Sequence, residues 1–186
     1  PGDYSLDSGT RLTVDSISTI RYQSGGAAGS TGWATPSFAS PFPAAPAVLG
    51  QVQTMNNESG SPAPPEGPSE PWLKTAIRDV QTDRFDIALE RAEVTSGTVN
   101  QAEQIGYLAI EAGRSGTLTN TIDFEAIRTG QSIQGHDDGC FGVGFANSYG
   151  SDPLVVASQN TRDGPNGGWL RRCSLDGSGV GLVVDE

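Results

Sequence analysis

"WLRRCSLDGSGVGLVVDE" occupies Trp169 to Glu186, and its reading decides the fold. "VGLVV" is β-branched and apolar, bounded by a Gly-rich turn, which predicts a strand. The stretch lies over "WLKTAIRDVQTDRFDIALER" (Trp72–Arg91), with a short deletion in the turn. Further upstream, "SFASPFPAAPAVLGQVQT" (Ser37–Thr54) lies without a gap over "GFANSYGSDPLVVASQNT" (Gly144–Thr161). Phe38 matches Phe145, Phe42 matches Tyr149, Pro46 matches Pro153 and Thr54 matches Thr161. "TIRY" at Thr19 pairs with "TIDF" at Thr121. A self-similarity of this length predicts two copies of one structural unit.

Each copy reads as β. "RLTVDSISTIRY" has β-branched residues and partial alternation, and "PAVLGQVQT" alternates after a Pro suited to a strand start. "WLKTAIRDV" and "RFDIALERAE" alternate across a "QTD" turn, and "EQIGYLAIEAG" (Glu103–Gly113) is the last strand of copy one. No window combines helical periodicity with caps. The Pro-rich "NNESGSPAPPEGPSE" (Asn56–Glu70) is a loop, longer than its counterpart "RDGPNGG".

The fold class expected is therefore all-β: two tandem antiparallel β-sandwich units, residues 1–113 and 114–186. In copy one, "FDIALERAE" is followed by "EQIGYLAIEAG"; in copy two, "VGLVVDE" is followed by nothing. The second unit lacks its last strand, the equivalent of Gln104–Glu111, and an open edge of this kind is sticky. Three explanations compete. The strand is cut off or disordered, Pro1–Val14 fills the gap within the chain, or another chain supplies a strand by addition.

Composition narrows the function. The chain has 186 residues, 35% of them hydrophobic, with 25 Gly and 12 Pro, which is globular and rich in turns. Its net charge is −11, from 22 acids and 11 bases, and Lys74 is the sole lysine. Such a surface repels nucleic-acid backbones and anionic lipid, and no run approaches the roughly 18 apolar residues of a membrane span. The start at Pro1, without Met or signal peptide, suggests a piece of something longer. An even cysteine count with little lysine suits an exported protein with a Cys140–Cys173 disulfide; two buried free thiols are the alternative.

The set "PAVLGQVQTMNNESG", "PWLKTAIRDV", "FDIALERAE", "IGYLAIEAG", "FEAIRTGQSIQGHDDGCF" and "GGWLRRCSLDGSGVGLVVDE" resembles repeats of large exported bacterial proteins. These are the MshQ-like proteins associated with the mannose-sensitive haemagglutinin type IV pilus. The repeat is similar to the H-type lectin domain, a small six-stranded antiparallel β-sandwich. The resemblance implies a bacterial cell-surface or pilus-linked role in adhesion through glycans. H-type lectins bind N-acetylgalactosamine through a polar constellation near the end of the repeat, and no residues here match it one by one.

Candidate sites follow from residue chemistry. "GHDDGC" holds His136, the sole histidine, with Asp137 and Asp138, a set able to take a divalent cation such as calcium; the plain alternative is a turn whose Asp side chains bond local backbone. A sole histidine next to a disulfide-bound Cys140 argues against Ser-His-Asp or Cys-His catalysis. Carboxylates for glycoside hydrolysis abound, at Glu90, Glu93, Glu103, Glu111, Glu125 and Asp185, as a net-acidic chain yields by chance. Trp72 and Trp169 share one place in the two copies and are expected in the inter-sheet core. Trp33, in a Gly/Ser loop, is the expected exposed aromatic for a sugar ring. Arg171 and Arg172 face opposite sides of a strand, one toward Asp185 or Glu186 and the other toward solvent or a carboxylated glycan. Asn57-Glu58-Ser59 matches the glycosylation sequon by chance. No cofactor is called for. The function expected is a non-enzymatic extracellular adhesion module with a glycan or another copy as partner. The alternative is a structural protomer of a fibre or coat assembled by strand exchange at the C-terminal edge.

Overall fold

The computed structural model of the protein describes residues 1–6, 8–24, 31–58, 70–92, 95–118, 121–162 and 168–185. Twelve strands run through them: β1 (Gly2–Ser5), β2 (Arg11–Thr19), β3 (Tyr22–Ser24), β4 (Ala47–Val52), β5 (Leu73–Arg78), β6 (Asp86–Arg91), β7 (Glu103–Ile110), β8 (Arg114–Leu118), β9 (Ile122–Ala126), β10 (Phe141–Gly144), β11 (Trp169–Asp176) and β12 (Gly179–Asp185). A single 3-10 turn, His136–Asp138, is the helical content among the described residues, so the chain is all-β.

Strict alternation in "EQIGYLAI" makes β7 a half-buried strand, with Glu103, Ile105, Tyr107 and Ala109 inward. It is the centre of a four-stranded sheet ordered β1-β2-β7-β4. β2 pairs with it antiparallel from Leu12↔Ile110 to Thr19↔Glu103. β4 pairs on its other side from Ala47↔Ile110 to Val52↔Ile105. A second sheet, β3-β6-β5, covers the inner face, and one core joins the two. Phe85 stacks on Phe38 at 5.4 Å and meets Tyr107 edge-on at 4.9 Å, within the range that favours aromatic pairs. Ile77, Ile87, Leu89 and Ile105 complete it, all buried. Each such side chain contributes about 1.5–3 kcal/mol of burial.

The bonding of this first set of strands recurs after residue 113. In the first set, isolated bridges pair Ala34 with Ile87 and Ser37 with Arg84; in the second, β10 pairs with β12 at Phe141↔Leu182 and Gly144↔Gly179. Phe38 N–H donates to Asp83 and Phe42 N–H to Thr82, just as Phe145 donates to Ser178 and Tyr149 to Gly177. The rings of Phe38 and Phe42 meet edge-on at 4.9 Å, and those of Phe145 and Tyr149 at 5.6 Å. The gapless match of Ser37–Thr54 on Gly144–Thr161 therefore describes equivalent positions. β11 and β12 form the counterpart of the β5–β6 hairpin, with a bulge between Arg172 and Ser174 that β5–β6 lacks. Asp176 locks its turn, accepting from the Ser178 hydroxyl at 2.6 Å and from the N–H groups of Ser178 and Gly179; the Ser178 bonds hold its carboxyl below the usual range.

Three sequence expectations are corrected. Arg21 O accepts from Leu89 and Tyr22 pairs parallel with it, while Gln134 O accepts from Val184 and Gly135 bridges parallel to it. "TIRY" therefore corresponds to "SIQG" at Ser132, not to "TIDF", and the β1–β2 hairpin corresponds to β8–β9. Residues 1–14 do not fill the second set's gap, because β1 is bound to β2 in the first sheet. Trp72 is not a core residue. It stands exposed before β5 with a left-handed φ of 43°, and Trp169 is half-buried beneath Lys74. Most of the Asn56–Glu70 loop and of its counterpart lies outside the described residues.

Cys140 and Cys173 form a disulfide that joins the start of β10 to β11. Both strands flank β12, so the bond crosses over β12 at Gly181, where a Cβ would lie 2.3 Å from Cys140 Sγ and 2.3 Å from Ser174 Oγ. Only glycine fits beneath the staple. Reducing the bond, which spans a separation of 33 residues, is expected to lower stability by about 3–4 kcal/mol. Gly181→Ala is expected to cost about 1–3 kcal/mol. Urea denaturation followed by circular dichroism checks both, and a Gly181→Ala midpoint equal to that of the parent contradicts the crossing.

Candidate functional site

Strand character depends on ladder partners, and among the described residues the second set shows no equivalent of β7. In the first set, residues 15–19 of β2 and all of β4 have β7 as their sole ladder partner. Their counterparts, residues 128–132 and 154–159, form no strand. The counterpart of the β1-paired half of β2 does form one, as β9 paired with β8. The regions that fail to become strands are those that a β7 equivalent would have paired.

A cavity of about 1290 Å³ occupies that place. Leu170, Leu182 and Val184 border it from β11 and β12, Phe124 from β9, and Val155 from the unpaired segment. Val155 is only half-buried, whereas Val48, at the matching position of the first set, is completely buried. The volume exceeds the roughly 300–1000 Å³ of small-molecule pockets.

Two clamps hold the unpaired segment in position. The Asn160 side chain accepts from Val48 N–H at 2.8 Å and donates to Val48 C=O at 2.6 Å, copying a strand neighbour on the free edge of β4. Glu90, 2% exposed, takes Lys74 Nζ at 2.7 Å on one oxygen and Arg162 Nε at 2.7 Å on the other. Lys74 also donates to Gln159 and to the Gly168 carbonyl, and it lies 5.5 Å from the Trp169 ring centre. A buried carboxylate with two cations is compensated, and removing one partner of such a group is costly. Sequence reading gave Glu90 only as one acid among many; its doublet of cations arises from residues far apart in the chain.

The other candidates are dispersed. Trp33 is half-buried, with the Arg78 guanidinium 4.3 Å from its ring centre. Arg171 pairs with Asp185 at 3.2 Å, and both it and Arg172 are exposed; Glu186 lies outside the described residues. Asp137 and Asp138 are exposed in the 3-10 turn with His136, whose side chain lies outside the description. Among the described residues, no three His, Cys, Asp or Glu side chains gather as a metal set. Glu111 meets Arg114 at 3.6 Å, Glu125 accepts from Ala146 N–H, and Glu93 is outside the described residues. A shallow depression of about 580 Å³, bordered by Asp15, Gln51 and Gln53, lies on the outer face of the first sheet and uses none of the candidates. Among the described residues, no helix is long and apolar enough to cross a membrane. Comparison with protein-family models, curated proteins and solved structures found no match.

Asn57, the sequon asparagine, is fully engaged. It donates to Gln101 C=O and Glu103, and accepts from the N–H groups of Asn100 and Gln101. Glu103, completely buried at the start of β7, also accepts from the Thr54 hydroxyl at 2.5 Å and from Asn57 N–H at 2.9 Å. Burial pushes its carboxyl pKa up, but the bonds from Thr54, Asn56 and Asn57 outweigh this and leave it below the ordinary 4.5. A carboxyl depressed in the folded state stabilises above its unfolded pKa, and that contribution is lost as pH falls through the folded value. Stability is therefore expected to decline below about pH 4.5, and Glu103→Gln to flatten that decline while costing about 1–3 kcal/mol at neutral pH. Urea midpoints for parent and variant across the acid range check it; parallel curves would exclude Glu103 as the source.

Proposed function

We propose that the chain is an exported, non-enzymatic assembly module: two copies of one H-type lectin-like sandwich, of which the second takes up a further β-strand between residues 128–132 and 154–159. The observation that carries this reading is the selective loss of strand character at residues 128–132 and 154–159, while the rest of the second set keeps the register of the first. An unfilled apolar face with unpaired backbone on both rims is the complement of an extended segment. The resemblance to MshQ-like pilus-associated repeats supports a place on a bacterial surface. The disulfide and the absence of a long apolar helix among the described residues are compatible with an extracellular setting. Adhesion through direct glycan contact has less support, because Trp33 lies against Arg78 and Arg171 against Asp185.

Amide hydrogen exchange tests the reading. In the isolated chain, residues 128–132 and 154–159 are expected to exchange within seconds to minutes, and β2 and β4 over hours or longer. In material assembled on its native surface, the first two segments become protected. Protection of residues 128–132 equal to that of β2 in a dilute, monomeric sample would remove the proposal.

A further inference from the structure

We infer that the strand this gap takes up is apolar on both of its faces, a run of successive apolar side chains rather than an alternating one. One face closes the second core, and the other meets the outer face of the first sheet. The inference rests on the strand-acceptor reading and adds to it the chemistry of the segment that fits.

β7 is the template, because it fills the equivalent place in the first set. Ile105, Tyr107 and Ala109 are buried in the first core, so Gly106, Leu108 and Ile110 lie on the outer face of the sheet. Strand pairing puts Val14, Leu108 and Leu49 in one row across that face, and Leu12, Ile110 and Ala47 in the next. An antiparallel sheet with one side in water alternates to polar residues on that side. These two rows are apolar throughout. Leu12, Leu49, Leu108 and Ile110 are half-buried, and they border the same cavity as Leu170, Leu182 and Val184. The cavity therefore has apolar walls from both sets.

The rims repeat the pattern. By the gapless match, Leu154 and Val156 take the places of Ala47 and Leu49. By the backbone equivalence of Arg21 with Gln134, Ile127 takes the place of Val14. A residue entering at the position of Leu108 has Ile127 on one side and Val156 on the other. One entering at the position of Ile110 has Leu154 on one side; Glu125, in the place of Leu12, stands on the other and already accepts from Ala146 N–H. Leu154 is 102% exposed and Val156 77%, the two barest large apolar side chains among the described residues. Exposed apolar side chains gathered at one place mark an interaction site, and apolar neighbours across a ladder stabilise each other. A strand covered on both faces is a near-continuous apolar run, and "IGYLAI" (Ile105–Ile110) of β7 has that form.

The test uses the intact, oxidised 186-residue chain and synthetic peptides with the sequence of residues 101–113. One peptide is native, one carries Ile105→Asn with Tyr107→Asn on the inward face, and one carries Leu108→Asn with Ile110→Asn on the outward face. The native peptide is expected to bind and to protect residues 128–132 and 154–159 from exchange. Each variant peptide is expected to bind about tenfold more weakly or worse, since each removes two apolar side chains from burial. The chain variants Leu12→Asn and Leu108→Asn, each checked for its fold by circular dichroism, are expected to weaken the native peptide several-fold. An outward-face peptide that binds as tightly as the native one overturns the inference while the acceptor reading stands, as does undiminished binding to both folded chain variants. Failure of all three peptides to bind, equal binding of all three, or protection of residues 128–132 without any peptide would mean that both fail.

Discussion

The double ladder of β7 is the interaction on which the architecture depends. One strand pairs with nearly the whole of β2 and with all of β4, and it sends Ile105, Tyr107 and Ala109 into the core. A central strand does more than add its own bonds, because a backbone segment is a strand only where its N–H and C=O groups have a partner. The chain contains its own control. Equivalent residues form strands beside β7 and irregular backbone where no described strand lies beside them, although "LVVASQ" is as suited to a strand as "AVLGQV". Local preference was present in both; the partner decided.

Other forces keep the second set in order in spite of that gap. The disulfide staples β10 to β11 across β12, and Gly181 gives it room. Asn160 and the Glu90 clasp tie the unpaired segment to β4 and to the β5–β6 hairpin.

The sequence alone was enough for the all-β class, for most strand positions and for the recurrence of Ser37–Thr54 at Gly144–Thr161, because alternation and turn residues are local signals carried by neighbouring side chains. It also gave the cysteine pair. It misplaced the partner of "TIRY", because four residues match by chance more easily than a register of backbone bonds does. It put Trp72 in the core from its repeat position, whereas a left-handed backbone turns that residue outward. Only tertiary structure decided which segments would be deprived of strand character, how Glu90 acquires two cations, and that Asp123 and Glu125 border the vacant place. Those outcomes depend on residues brought together across long stretches of chain, and pairing between distant segments leaves no trace in the composition or periodicity of either one.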